Sequence, residues 1–253
     1  MSTRQKSICA VLFVLPLLAS LALAEEGKWV NLFDGHSLDG WTVRSGYATY
    51  RAEDGAIVGK TAEGSGNSFL CTNKDYGDFI LEFEVKDDPK LNSGVQFRSH
   101  FYPKETTIEV VNKEGKKVPR KFPAGRVYGY QVEIADAASG FSGGIYDEAR
   151  RGVWLYDTSK DPAAAKAFKD NQWNKYRVEC RGNSIQTWIN GVPCTKLTDD
   201  TDRSGLIGLQ VHAIKKGAGP YEVRFRNLRI QELCPAEKKA GCSCCSGCCT
   251  GSN

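Results

Sequence analysis

The sequence has little net charge and no long apolar run beyond its first 24 residues. Its 253 residues carry 34 Lys and Arg against 30 Asp and Glu, a formal net charge of +4. This balance argues against nucleic acid or an acidic membrane surface as the main partner, because both attract strongly basic chains. A transmembrane helix needs about 20 consecutive apolar residues. No stretch after residue 24 has them, so we expect no transmembrane segment.

Motifs of several known chemistries are also missing. The sequence contains no Walker loop, no dinucleotide-binding glycine fingerprint and no HExxH. It shows no internal repeat of 20–50 residues. These absences exclude the motif-defined nucleotide-binding and zinc-protease classes, and they exclude repeat architectures.

Both ends of the sequence differ from its middle. Residues 1–24 read as a secretory signal peptide, with basic Arg4 and Lys6, an apolar run and a cleavage site ending at Ala24. We therefore expect an exported protein, in the periplasm, at the cell surface or outside the cell. Loss of Arg4 and Lys6 lowers the net charge from +4 to +2. Residues 234–253 form a low-complexity tail with six of the ten cysteines.

The cysteine tail allows three interpretations. Its C-x-C and C-x-x-C spacings suit disulfides, tethering to another chain, or a thiolate metal cluster. Export favours disulfides or tethering over metal.

Short alternating segments dominate residues 25–233, which we interpret as one domain. At 79–86, for example, Phe79 begins a run in which every second residue is apolar, typical of a strand with one buried face. About fourteen such segments predict an all-β fold of two antiparallel sheets packed as a sandwich. One short helix is predicted at 161–168, where Asp-Pro precedes an alanine-rich stretch. Residues 101–123 predict a long polar insertion with a small hairpin.

The strand predicted at 125–136 carries unusual polar residues on one face. Because strand side chains alternate, Gln131 and Glu133 share a face and Tyr130 lies on the other. Two more strands carry similar polar pairs, Gln96 with Arg98 and Gln210 with His212. If the three strands belong to one sheet, their polar faces predict a ligand groove. A solvated sheet face is the alternative.

The residue types in this predicted groove suit a sugar. Gln, Arg and Glu supply the paired donors and acceptors that hydroxyl groups need. The candidate aromatic platforms are Tyr128, Tyr130, Tyr146 and Trp154. The candidate acid and base groups are Glu133, Asp147, Glu148 and His212. As alternatives, Asp147 and Glu148 are turn residues or hold a structural calcium, and Arg98 pairs with Glu133.

The sequence resembles a family of secreted domains, the 3-keto-disaccharide hydrolases, over nearly all of residues 29–233. The similarity rests on seven stretches in family order: WVNLFDGHSLDGW at 29–41, residues 78–99 with NSGVQFRS, GYQVEI at 129–134, GGIYD at 143–147, residues 173–190 with the continuation WINGVP, GLIGLQVH at 205–212 and RNLRIQEL at 226–233. This resemblance implies a concanavalin-like jelly roll, similar to laminarinase-type glycoside hydrolases. It also implies an oligosaccharide or glycoside substrate whose sugar is oxidised at C3.

The resemblance further implies a mechanism and roles. A base removes the acidified proton at C2, and the C1 substituent leaves by elimination, with or without addition of water. The resemblance implies Glu133 and His212 as the base and acid candidates, with Glu148 as a further acid candidate. It implies that Arg98 or a divalent cation stabilises the enolate. The expected substrate-binding residues are Gln96, Arg98, Gln131, Gln210, Tyr130, Tyr146 and Trp154. A non-catalytic lectin and a surface module anchored by the cysteine tail are the alternatives.

Overall fold

The computed structural model describes residues 27–112 and 114–233. The predicted signal peptide and cysteine tail lie outside the described residues. Within this range the chain forms seventeen strands: β1 Trp29–Asn31, β2 Trp41–Arg44, β3 Thr49–Glu53, β4 Ala56–Lys60, β5 Ser68–Thr72, β6 Phe79–Asp87, β7 Ser93–Phe101, β8 Thr106–Val111, β9 Lys117–Phe122, β10 Val127–Ile134, β11 Ile145–Glu148, β12 Trp154–Tyr156, β13 Asn174–Arg181, β14 Ser184–Ile189, β15 Val192–Thr198, β16 Leu206–Val211 and β17 Glu222–Glu232.

The strands build two antiparallel sheets. The back sheet has the order β15-β14-β13-β6-β17-β4-β3, with β1 also paired to β17. The front sheet has the order β12-β11-β10-β7-β16-β5-β2. Strands β8 and β9 form a separate hairpin within the predicted insertion, so the expected small hairpin is confirmed. The all-β sandwich predicted from the sequence is confirmed as well.

The core lies between the sheets because alternating strands turn their apolar sides towards each other. In β6, Phe79, Leu81 and Phe83 are each at most 1% exposed and belong to the main core cluster. Burying a side chain of this size contributes roughly 2 kcal/mol. Glu82 and Glu84 lie on the opposite face and pair with arginines of β17. The alternation predicted at 79–86 is therefore observed, but the outer face is only partly solvated, because Glu82 is itself 8% exposed.

The predicted helix at 161–168 is wrong. This segment forms only one 3₁₀ turn, Ala164–Lys166, and a second turn, Thr158–Lys160, precedes it. The Asp161 carboxylate does cap the turn by accepting from the backbone N–H groups of Ala163 and Ala164. The alanine-rich stretch is too short to repay the cost of nucleating an α-helix. No helix within the described residues is long and apolar enough to cross a membrane.

The three cysteines within the described residues are buried and free. They are Cys71, Cys180 and Cys194. Burial raises the pKa of the first two thiols to about 12 and that of Cys194 to about 11. These thiols therefore act as small apolar groups and not as nucleophiles near neutral pH.

Candidate functional site

The three strands with polar faces are direct neighbours in the front sheet. Strand β7 pairs with β10 on one side and with β16 on the other. Gln131 lies opposite Gln96, and Glu133 lies opposite Gly94. A cleft of about 700 Å³ opens over this face. Its lining includes seven of the residues named from the sequence: Gln131, Glu133, Tyr146, Glu148, Trp154, Gln210 and His212.

Three glutamine amides connect across the cleft floor. Gln96 Nε2 and Gln210 Nε2 both donate to Gln131 Oε1, at 2.8 Å and 2.9 Å. Gln131 Nε2 in turn donates to Glu133 Oε2 at 3.0 Å. Gly94 leaves room for this arrangement, since a Cβ there would lie 2.6 Å from the Gln131 side chain. The amide of Gln131 is thereby held with its N–H group facing the carboxylate.

Glu133 is the buried carboxylate at the end of this chain. It is 6% exposed, and its Oε1 accepts a hydrogen bond from Asn92 Nδ2. Burial raises the pKa of Glu133 to about 7, and the nearby charge of Glu148 adds to the increase. The two amide bonds oppose that shift because they favour the ionised form. A carboxyl group with this pKa can take up or release a proton near neutral pH.

A second acidic group stands beside an arginine. Glu148 Oε1 accepts from Arg126 Nη2 and, at 3.2 Å, from Asn67 Nδ2. Asn67 Oδ1 accepts the backbone N–H of Ala213 at 3.0 Å, which ties this group to the end of β16. There, His212 Nδ1 lies 2.7 Å from the Ala213 carbonyl oxygen. A carbonyl only accepts, so Nδ1 carries the proton and Nε2 is the free nitrogen of the neutral ring.

Aromatic side chains and the hairpin form the cleft wall. Trp154 stacks on Phe141 with ring centroids 4.9 Å apart, and Tyr146 meets Trp154 edge-on at 5.4 Å. Tyr146 and Trp154 are both half-buried. From the hairpin, Val110 and Phe122 also line the cleft. The wall thus combines aromatic and apolar side chains with two basic residues of the hairpin, Arg120 and Lys121, above a polar floor.

Residues 28–231 match the family described as the 3-keto-alpha-glucoside-1,2-lyase-like domain. The chain belongs to this family. The relationship suggested by seven short stretches of sequence is therefore shown for almost the whole described region. Comparison with curated proteins gives no match.

Solved structures resemble this lyase-like domain in fold. A carbohydrate-binding module, CBM66 from Bacillus subtilis, is 16% identical with a TM-score of 0.51, covering 75% of this chain and 94% of its own. The kappa-carrageenase of Pseudoalteromonas carrageenovora is 7% identical with a TM-score of 0.51, covering 86% and 100%. A Bacillus subtilis protein with a galectin-like fold is 11% identical with a TM-score of 0.56, covering 84% and 100%. At these identities the likeness shows the concanavalin-like jelly roll alone.

Arg98 does not lie in the cleft of this lyase-like domain, contrary to the sequence prediction. It has a φ of 45°, and the register of β7 against both neighbours shifts around it. The strand holds one extra residue there, a β-bulge, which breaks the alternation of faces. The Arg98 guanidinium instead reaches the carbonyl oxygens of Gly77 and Gly182 and the carboxylate of Asp78. It is fully buried and connects the two sheets.

Tyr130 and Gln96 also lack a surface on the cleft. Tyr130 is 0% exposed, stacks on Phe97 and donates its hydroxyl to Asp199. It cannot be the platform for a sugar that its aromatic ring suggested. Gln96 is fully buried on the cleft side and acts only through its bond to Gln131.

Asp147 and Tyr128 form contacts of their own. The fully buried carboxylate of Asp147 accepts from Arg150 and Arg151, so arginines occupy the oxygens offered for a calcium ion. Tyr128 stacks on Tyr102 at 4.3 Å. Within the described residues, no three His, Cys, Asp or Glu side chains form a metal-binding group. The divalent cation considered from the sequence finds no such ligand set there.

Three residues that hydrogen-bond Glu133 or Glu148 were not selected from the sequence. Arg126 and Asn92 lie within the stretches 125–136 and 92–99, so proximity to Gln131 and Gln96 was the available signal. Asn67 sits in a Gly-rich loop and approaches Glu148 only through the fold. Residues at strand ends and in loops escape the parity argument, which applies only within strands.

Proposed function

We propose that this chain is a carbohydrate-active enzyme that cleaves glycosides carrying a ketone at C3 of the sugar. Membership of the lyase-like family supports the substrate class. The observation that carries the proposal is Glu133: a carboxyl group on the floor of a cleft, with a pKa of about 7 and both oxygens held by amides. Such a group is suited to taking a proton from carbon next to a ketone.

In the proposed reaction Glu133 acts as the base. Its carboxylate takes the proton from C2, and the C–H electron pair forms the C2=C3 bond of an enolate as the ketone oxygen becomes negative. The enolate then reforms the ketone, its electron pair forms a C1=C2 bond, and the C1–O bond breaks. Addition of water across C1=C2 would complete a hydrolysis; without it the reaction is an elimination.

The leaving oxygen requires a proton, and we assign His212 to supply it. With Nδ1 bound to the Ala213 carbonyl, the protonated ring presents Nε2–H as its donor. Glu148 is the second acid candidate, but its Oε1 already accepts from both Arg126 and Asn67. Because this oxygen already has two donors, we place His212 before Glu148 as the acid.

Incubation with a 3-keto-disaccharide and with the same disaccharide unoxidised tests the proposal. We expect release of the second sugar from the keto form only. Glu133→Gln is expected to lower turnover by about 10²- to 10⁴-fold, the range typical of a lost general base. Turnover that survives Glu133→Gln combined with His212→Ala would remove both residues from the mechanism.

Non-catalytic carbohydrate binding is the second candidate function. The likeness to a carbohydrate-binding module makes it a reasonable competitor, since the same sandwich serves both purposes. Binding of the keto sugar without any cleavage, measured by calorimetry and product analysis on the same sample, would favour the binding module over the enzyme.

A further inference from the structure

Two polar atoms at the cleft lack a hydrogen-bond partner within the described residues. They are Arg126 Nη1 and Gln210 Oε1, and both are buried. The other unpartnered side-chain atoms found in this part of the chain belong to residues that do not line the cleft. A buried polar group without a partner is costly and rare, so a bound molecule is the natural completion of both. One atom can only donate and the other can only accept.

Neighbouring contacts fix the direction of each group. Arg126 Nη2 is bound to Glu148, and the guanidinium lies 5.4 Å from the ring centre of Phe69. Gln210 Nε2 donates to Gln131 Oε1. The reverse orientation of the Gln210 amide would set two carbonyl oxygens against each other. The free donor and the free acceptor are therefore preorganised.

The sheet register brings these two groups and Glu133 to one area. Phe69, which lies beneath Arg126, is the direct cross-strand neighbour of Gln210. Glu133 lies opposite Gly94 of β7, and β16 is the next strand, where Leu209 pairs with Val95. Gln210 and Glu133 therefore flank Gly94, about two strand spacings apart. The side chain of Gln131 bridges them across the glycine.

We propose that Arg126 Nη1 and Gln210 Oε1 recognise two adjacent oxygens of the substrate, a ketone oxygen at Arg126 and a neighbouring hydroxyl at Gln210. The site thereby selects an α-hydroxyketone. This inference rests on the proposed function and supplies the electrophile that Arg98 was expected to provide. As Glu133 takes the proton from carbon, the electron pair of that C–H bond moves into the new C=C bond. The carbonyl pair moves to oxygen, which becomes negative beside the guanidinium.

The first test replaces Arg126. Arg126→Lys keeps a positive charge near Glu148 but loses the fork that holds Glu148 and the ketone together. We expect kcat on a 3-keto glycoside to fall about 100-fold, as when one oxyanion donor is removed. Arg151→Lys is the matched control, because Arg151 also has a buried unpartnered Nη2 but lies outside the cleft. A fall of less than about threefold in Arg126→Lys, or an equal fall in both variants, would overturn the assignment of Arg126.

The second test concerns the hydroxyl. Gln210→Met and Gln96→Met each remove one donor to Gln131 Oε1, but only the first removes the free acceptor. Wild type is expected to bind a 2-deoxy or a 4-deoxy 3-keto glycoside about tenfold more weakly than the parent sugar. Gln210→Met should lose that discrimination and Gln96→Met should keep it. Equal binding of all three sugars by wild type, or unchanged discrimination in Gln210→Met, would overturn the assignment of Gln210.

Binding and cleavage are measured separately so that the two proposals can fail independently. Calorimetry uses wild type if it does not cleave the sugar and Glu133→Gln if it does. Binding of the keto sugar that depends on Arg126 and Gln210, without cleavage, would sink the proposed reaction and leave the recognition intact. Cleavage that is unchanged when Arg126 and Gln210 are replaced would overturn the proposed recognition and leave the proposed reaction intact.

Discussion

Gln131 Nε2 lies 3.0 Å from Glu133 Oε2, and the two residues are next-but-one neighbours on the same face of β10. The opposite end of the same amide accepts from Gln96 and Gln210. Gln131 thus cannot turn its oxygen towards the carboxylate without losing two bonds. Its contact lowers the pKa of Glu133 against the larger effect of burial.

Replacing Gln131 is expected to shift the pH profile. Gln131→Met removes a bond that favours the ionised carboxylate, so the pKa of Glu133 should rise above its value of about 7. The rising limb of log kcat/KM against pH should therefore shift to higher pH by roughly one unit. Gln96→Met, which leaves the contact to Glu133 in place, is the control. An unmoved limb in Gln131→Met would show that the amide does not tune the base.

Glu133 also makes the stability of the fold depend on pH. Its pKa is raised from an ordinary 4.5 to about 7, so between these values the native state binds more protons than the unfolded state. The stabilisation is complete below about pH 4.5 and is lost as the pH rises through 7. Glu133→Gln should therefore gain roughly 3 kcal/mol relative to wild type between about pH 4 and pH 8. Urea unfolding at each pH measures this difference. A free energy of unfolding that changes with pH equally in wild type and in Glu133→Gln would contradict it.

Arg98 is expected to matter for folding and not for ligand binding. Arg98→Met removes three hydrogen bonds between the sheets and leaves Asp78 without its cation. Breaking a buried pair in this way costs roughly 3 kcal/mol or more. Arg224→Met, on the exposed face of β17, should cost less than about 1 kcal/mol. Denaturant unfolding compares them; wild-type stability with lost sugar binding in Arg98→Met would return Arg98 to the site.

Trp154 offers a test of the cleft wall. Trp154→Ala should raise KM or the dissociation constant for the sugar about tenfold, because the wall loses its largest aromatic surface. Trp188→Ala is the matched control, since Trp188 lies under Arg177 on the back sheet. Equal effects of the two substitutions would place the sugar elsewhere. Thermal unfolding of both variants checks that the stack of Trp154 on Phe141 is not the cause.

The alternation of side chains along β-strands was sufficient to predict where much of the site lies. Gln131, Glu133 and Gln210 meet because β10 and β16 both pair with β7 and both keep the alternation of faces at these residues. The same argument gave the wrong face for Arg98. The bulge there shifts the alternation by one residue, and no residue type in the sequence marks its position. The role of Arg126 could not be predicted from alternation, because its pairing with Glu148 depends on the register of β11 against β10.

The bulge at Arg98 makes β7 a strand with two phases. Before the bulge, Gln96 lies on the cleft side of the strand. After it, Ser99 lies on that side, and its hydroxyl donates to Gln96 Oε1 at 2.7 Å. His100 is thereby sent to the other side, towards Asp202. The extra residue therefore decides which side chain meets the glutamines. In unbroken alternation the same sequence would set Arg98 and His100 on the side of Gln96 and turn Ser99 away from it.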